Sequence, residues 1–295
     1  MENTVKPLFA SFATAFTALS VLFSSVAIAS PSDKTFKISA IPDYNAAEMT
    51  RSFDSFAEYL GKETGLKVQY VPVTDYAAVV TAFRRGEIDL VWFGGLTGVQ
   101  ARAKVQGAEA IAQRPQDEKF KSVFIKQKGL DNVKEIKDVK GHTLAFGSES
   151  STSGHLMPRF FLTEAGINPE KDLDAQPTYS GSHDKTYGLV EAGSVQIGAV
   201  NKQYWDKMAK EGKVNHDKVE LFYTTPDYYD YNWTINLVDK KFGDGTKEKV
   251  KAALLKADAS SSQVMNLLSA EKFIPTQNSN YQDIEKVAKE LKLIK

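Results

Sequence analysis

Ile88-Asp89-Leu90-Val91-Trp92-Phe93-Gly94-Gly95-Leu96-Thr97 decides the fold. From Ile88 to Phe93 the run is nearly continuous in apolar residues, with no polar alternation, as in a strand buried on both faces. Gly94-Gly95 then turns the chain into an apolar helix. A strand covered on both sides needs helices packed against each face, which is the α/β arrangement. The surrounding sequence repeats the pattern. Phe36 to Ile41 reads as a strand and Pro42-Asp43-Tyr44-Asn45 as the loop that ends it, while Met49, Phe53, Phe56 and Leu60 recur at helical spacing. Val68 to Val73 is a second strand, and Thr74-Asp75 caps a helix starting at Tyr76. A new alternation begins at Thr143 to Phe146 and continues through strands at Ala175 to Tyr179, Val195 to Val200 and Val219 to Tyr223. After the aromatic segment Thr225 to Asn232 comes a strand at Trp233 to Val238, and the remainder is helical. Strands alternating with helices predict a mostly parallel sheet.

Composition excludes several function classes. The 295 residues carry 37 basic and 37 acidic side chains, so nothing favours a polyanionic partner and no nucleic acid is expected. Residues 1–29 have the form of a secretory signal: an uncharged run after Lys6, ending Ala27-Ile28-Ala29 before Ser30-Pro31. Export to the periplasm is the expectation. With no cysteine in the chain, a lipid anchor on cysteine, a disulfide framework and thiolate metal sites are all excluded.

The chemistry concentrates in turns. Gly147-Ser148-Glu149-Ser150-Ser151-Thr152-Ser153-Gly154-His155 lies between a strand and an apolar helical run. Hydroxyl groups and free amides at the positive end of a helix suit an oxyanion, although Ser and Thr are also the ordinary caps of helices. Pro158, lacking an N–H, belongs near the first helical turn, so the loop is expected to run past Gly154. Other polar or aromatic turns follow strands, where open α/β sheets collect ligands. These are Asp43-Tyr44, Asp75-Tyr76, Phe93-Gly94, Ser180 to His183 and Asn201 to Gln203. Catalysis has no comparable support. The four histidines are scattered, no His-x-x-x-His pair or Gly-x-Ser-x-Gly elbow occurs, and the serine-rich loop lacks the Gly-Lys-Ser/Thr ending of a phosphate-binding loop. No enzyme activity and no cofactor are expected.

Taken in order, Asp75-Tyr76, Asp89-Leu90-Val91-Trp92-Phe93-Gly94-Gly95-Leu96, Ser151-Thr152-Ser153-Gly154 and Ser180-Gly181-Ser182-His183-Asp184 resemble the phosphonate/phosphite-type substrate-binding proteins of ABC importers. The resemblance runs from about Lys37 to Val238. Asp-Tyr-Asn-Trp and the stretch Gly94 to Arg102 resemble most the subgroup assigned to selenate import. The resemblance implies a type II periplasmic-binding-protein fold, with two α/β lobes of mixed sheets joined by two crossing segments near Ser122–Lys126 and Tyr229–Leu237. Its lobes would be residues 30–122 with 232–295, and 123–231. It also implies a monomer working with a membrane permease.

The family's oxyanion cradle falls on Ser151, Thr152 and Ser153, with donors at His183 and Tyr76. Tyr44, Phe93, Gly94, Asn201, Gln203 and Tyr231 complete the expected site. Phe93 stands where phosphonate binders have a tyrosine, and Gln203 and Tyr231 where they have acids suited to an ammonium group, with Asp230 adjacent. A buried carboxylate without a cation is costly, so amide and phenol favour a ligand without an amine. The expected ligand is a compact tetrahedral oxyanion: phosphite, phosphate, a simple phosphonate or selenate. An organic acid or sulfonate is the alternative ligand class, and an exported hydrolase or an adhesion module the alternative function.

Overall fold

A computed structural model describes residues 1–2 and 34–294; the signal-like segment falls almost wholly outside the described residues. The first elements are β1 (Phe36–Ala40), α1 (Ala46–Thr64), β2 (Val68–Tyr70), α2 (Tyr76–Arg84), β3 (Leu90–Phe93), α3 (Gly95–Lys104) and β4 (Glu109–Gln113). Then come β5 (Ser122–Gln127), β6 (Leu144–Phe146), α4 (Met157–Glu164), β7 (Thr178–Tyr179), α5 (His183–Glu191), β8 (Ile197–Asn201), α6 (Lys202–Lys210) and β9 (Val219–Thr224). The chain returns through β10 (Asn232–Ile235), α7 (Val238–Phe242), α8 (Thr246–Lys256), α9 (Gln263–Leu267), β11 (Ile274–Pro275) and α10 (Gln282–Glu290).

Local chemistry sets the element ends. The Asn45 side chain accepts from the amides of Ala47 and Glu48, opening α1, and Gly65 closes it at φ 72°, a conformation that favours glycine. Between them Met49, Phe53, Phe56 and Leu60 form the buried stripe. Asp75 caps α2 by accepting from the Ala78 amide at 2.7 Å. All four residues of β3 are buried, as the apolar run predicts.

One sheet has the order β11-β4-β10-β3-β1-β2 and the other β7-β6-β8-β5-β9. β2, β1 and β3 run parallel, but β10 lies antiparallel between β3 and β4, and β11 antiparallel to β4. In the second sheet β7, β6 and β8 are parallel and β5 is antiparallel to β8 and β9. The sheets are therefore mixed rather than mostly parallel. β5 and β10 each enter from the opposite sheet, so no crossover helix forces them parallel to their neighbours. The strand expected over Ala175–Tyr179 shrinks to the exposed edge strand β7.

Residues 114–121 and 225–231 pass between the sheets. They begin a few residues before the stretches expected from sequence, because Ser122–Lys126 lies inside β5 and Asn232–Ile235 is β10. The two passages are bonded to each other: the Phe120 amide donates to Tyr228 O at 2.8 Å and the Tyr228 amide to Phe120 O at 3.0 Å. The first passage carries a buried ion pair. Arg114 donates from Nε to Asp117 Oδ2 at 2.7 Å, and from Nη1 to Gln203 Oε1 at 2.6 Å and to the Leu268 carbonyl. Its guanidinium lies 4.8 Å from the Tyr231 ring centroid and 5.1 Å from that of Trp92. Arg114→Ala would leave the Asp117 carboxylate buried without its cation. A loss of ~3–5 kcal/mol is expected in urea unfolding, against a much smaller loss for the double replacement Arg114→Met/Asp117→Leu.

Candidate functional site

The C-terminal ends of β3, β6 and β8 and the second passage converge on one buried cluster. At its centre the first turn of α3 is held by groups from outside its own lobe. The Leu96 amide donates to Thr152 Oγ1 at 3.0 Å and the Gly95 amide to Asp230 Oδ1 at 2.8 Å. Helix amides of the first turn have no partner within the helix, and here a side chain of the second lobe supplies one. The approach is close: a methyl group on Gly94 would stand 3.1 Å from Thr152 Oγ1 and 3.3 Å from Asp230 Oδ1, so both side chains would have to give by a few tenths of an ångström.

Thr152 opens a π-helical turn, Thr152–Leu156, that runs into α4, so the loop expected to extend past Gly154 ends at Ser151, and Pro158 sits in the first turn of α4 because the π-helical turn precedes it. Ser151 caps this turn, its Oγ accepting from the Gly154 amide at 2.9 Å. The Ser151 hydroxyl proton is thereby left to donate elsewhere, and Tyr76 is its near neighbour. His183 lies beside it, since a methyl on Gly154 would be 3.0 Å from Ser151 Oγ and 3.2 Å from His183 Cε1.

His183 begins α5 and is buried. The Asn201 amide donates to His183 Nδ1 at 3.4 Å, which assigns the imidazole proton to Nε2. Burial lowers the pKa to about 4, so the ring is neutral at physiological pH and still a donor. Asn201 caps α6 with Oδ1 and donates from Nδ2 to Tyr231 Oη at 3.1 Å; Tyr231 in turn donates to Asp43 Oδ2 at 2.9 Å. Burial raises both Asp43 and Asp230 to about 7. Three polar atoms of this cluster are buried without a hydrogen-bond partner: Tyr76 Oη, His183 Nε2 and Asp230 Oδ2.

The structure thus brings together Tyr76, Gly94, Ser151, Thr152, His183, Asn201 and Tyr231. Phe93 presents its ring to Phe83 in the core, with centroids 5.6 Å apart, and contributes the backbone leading into Gly94. The Ser153 carbonyl accepts from Ser122 Oγ at 2.7 Å, and its hydroxyl is directed to Tyr228. Half-buried Tyr44 has the Lys207 ammonium 5.2 Å from its ring centroid. Gln203 is committed to Arg114 and, through Nε2, to the Leu268 carbonyl at 2.7 Å. Sequence reasoning chose Tyr231 with Asp230 adjacent, and both lie in the buried cluster. The signal for Asp230 was its place in a segment too aromatic to be solvated, where a carboxylate needs a reason to be buried. His155 is structural: its Nδ1 pairs with the Glu149 carbonyl at 2.7 Å, and its Nε2 accepts from Arg159 Nε at 2.8 Å. A surface groove of about 770 Å³ beside Lys119, Lys202 and Gln203 includes none of Tyr76, Ser151 or His183. Among the described residues no group of three metal-ligating side chains occurs.

The family of ABC-transporter, phosphonate, periplasmic substrate-binding proteins matches residues 38–281. A Prochlorococcus marinus (strain MIT 9301) protein named as a probable ABC-transporter phosphite-binding protein is 39% identical over 283 residues, 93% of this chain and 95% of that one. The crystal structure of that protein with methylphosphonate superposes with a TM-score of 0.84, covering 88% of this chain and 99% of the other. An ABC phosphonate-transporter binding component from Pseudomonas aeruginosa, 18% identical, has a TM-score of 0.75 over 86% of this chain and 85% of its own. The aliphatic sulphonate binding protein of Escherichia coli, 15% identical, has a TM-score of 0.55, with 89% of each chain covered. The last two share the fold alone.

The His183 assignment is directly measurable. In ¹⁵N–¹H NMR of the free protein, the ring is expected to stay the neutral Nε2–H tautomer down to about pH 5. A charged imidazolium at pH 6 would contradict it.

Proposed function

The chain belongs to the periplasmic phosphonate substrate-binding proteins of ABC transporters, and we infer that it closes on a small tetrahedral oxyanion of phosphorus: phosphite, phosphate or a simple phosphonate. It is a binding component of an importer and not an enzyme. We place the two closing lobes at residues 30–122 with 232–295, and at 123–231. Residues 1–29 act as the cleaved export signal, and the absence of cysteine leaves a periplasmic protein without a lipid anchor. It works as a monomer that meets a permease and, with balanced charge, has no nucleic-acid partner.

The observation that carries this reading is the unpartnered pair of buried donors, Tyr76 Oη and His183 Nε2, beside the spare hydroxyl proton of Ser151. A donor buried without an acceptor costs about 1–3 kcal/mol, and an anion seated among them removes that cost. Hydrogen bonds to a charged acceptor are each worth about 1.5–3 kcal/mol, so neutral donors suffice to hold the charge. No lysine or arginine donates into the cluster; Arg114, the nearest cation, is engaged by Asp117, Gln203 and the Leu268 carbonyl. Two carboxylates stand close by, but burial favours their neutral forms, the opposite of what an ammonium substituent needs.

Ser151→Ala is expected to weaken binding by ~1–3 kcal/mol, the cost of one hydrogen bond to a charged group. Thr152→Ala, which also orphans the Leu96 amide, is expected to weaken it at least as much. Wild-type affinity in either variant would remove these residues from the cradle. A thermal-shift panel of phosphite, phosphate, methylphosphonate, sulfate, selenate and aminoethylphosphonate tests the ligand class. A true ligand at 100 times its Kd stabilises by about 2.7 kcal/mol. A response to aminoethylphosphonate alone, or to none of the anions, would overturn the reading.

A further inference from the structure

We propose that the bound complex holds one proton between Asp230 Oδ2 and the oxyanion, supplied by the ligand or by Asp230 itself. The inference deepens the oxyanion reading and depends on it.

The argument is a count of donors and acceptors. Of the three unpartnered atoms, Tyr76 Oη and His183 Nε2 are donors and call for ligand oxygens, whereas Asp230 Oδ2 belongs to a carboxyl group. The carboxyl is already met by the Gly95 amide, at Oδ1, and by the Thr152 hydroxyl, which leaves Oδ2 as its unpartnered atom. Facing an anion, an ionised Oδ2 finds no donor unless the anion brings one. Two oxygens of like charge in a buried site repel, and a shared proton converts that repulsion into a strong O–H···O bond. A singly protonated phosphonate or phosphate satisfies all three atoms at once: its bare oxygens accept from Tyr76 and His183, and its O–H donates to Asp230. Sulfate and selenate carry no such proton near neutrality, so they fit only when Asp230 itself is the acid.

The groups facing Asp230 support this balance. Arg114, the nearby cation, is paired with Asp117; Asp43 is engaged by Tyr231; His183 is neutral. Tyr76, Tyr228, Tyr231 and Tyr281 are all pushed to higher pKa by burial and stay protonated. Burial raises Asp230 itself to about 7, so at higher pH the free protein has lost the proton that the complex needs. Asp43 titrates in the same range, so a pH profile alone does not identify the group, and a variant at Asp230 is required.

Asp230→Asn is the discriminating change. The Gly95 amide demands an acceptor, which fixes the new amide with its oxygen toward Gly95 and its NH₂ toward the ligand. That presents a donor and suits a fully deprotonated anion. Calorimetric titration of methylphosphonate near pH 8.5, in two buffers of different ionisation enthalpy, reads the proton count. Wild type is expected to take up about one proton per anion and Asp230→Asn none. Between about pH 7.5 and 8.5 the wild-type affinity for methylphosphonate should also fall about tenfold more steeply than that of the variant, the effect of one linked proton over one pH unit. Zero uptake by wild type, or equal uptake by both proteins, overturns the proposal while leaving anion binding intact. Failure of both proteins to bind any phosphorus oxyanion would instead overturn the function on which it rests. The wild-type proton count needs no variant. It is checked by the Asp230 carboxyl ¹³C resonance, which should move to its protonated or shared position on adding methylphosphonate at the same pH.

Discussion

The first turn of α3 cannot satisfy its own amides, and the arrangement of the molecule follows from how they are satisfied. Thr152 reaches across from the second lobe to the Leu96 amide, and Asp230 reaches from the second passage to the Gly95 amide. The contact between the two sheets at this point and the completion of a helix N-terminus are therefore the same bonds. Separation of the lobes would return the Leu96 amide to water, where it costs little, and closure removes it again. Gly94 gives this clasp its room, because a Cβ there would crowd the Thr152 and Asp230 oxygens.

Around this clasp the electrostatics are arranged with little net charge in play. The chain balances 37 basic against 37 acidic residues, and the one strong cation near the cluster is bound to its own carboxylate. What remains are hydroxyls, an amide and a neutral imidazole, aimed by capping interactions that the local fold requires anyway. Ser151 is oriented by capping its π-helical turn and Asn201 by capping α6. Ordinary helix caps thus fix the direction of the polar side chains in the cluster.

Much of this was legible in one dimension because it rests on local rules. The apolar run Ile88–Phe93 announced a strand buried on both faces, and Asn45 and Asp75 announced helix starts. Hydroxyl residues between a strand and a helix marked the segment that the structure places beside Tyr76 and His183. What was hidden depends on contacts between residues distant in sequence. The antiparallel placement of β5 and β10 follows from the path between lobes, which periodicity does not encode. Gln203 and Arg114 meet across 89 positions, so nothing near Gln203 revealed that its amide was already committed. Asp230 and Tyr231 lie in the passage just before β10, and which of them meets α3 is set by a contact across 135 positions, Gly95 to Asp230, while Tyr231 turns to Asp43.

The reciprocal amide bonds between Phe120 and Tyr228 carry a mechanical consequence. The Asp230 amide adds a further bond, to the Asp117 carbonyl at 3.1 Å, so the two passages form a short laced ribbon rather than two free tethers. A laced ribbon resists sliding of one lobe past the other, which would break every rung, but it tolerates twisting and bending about its own length. For two sheets joined by such a ribbon, bending about its length costs fewer hydrogen bonds than sliding, which favours hinge motion over shear.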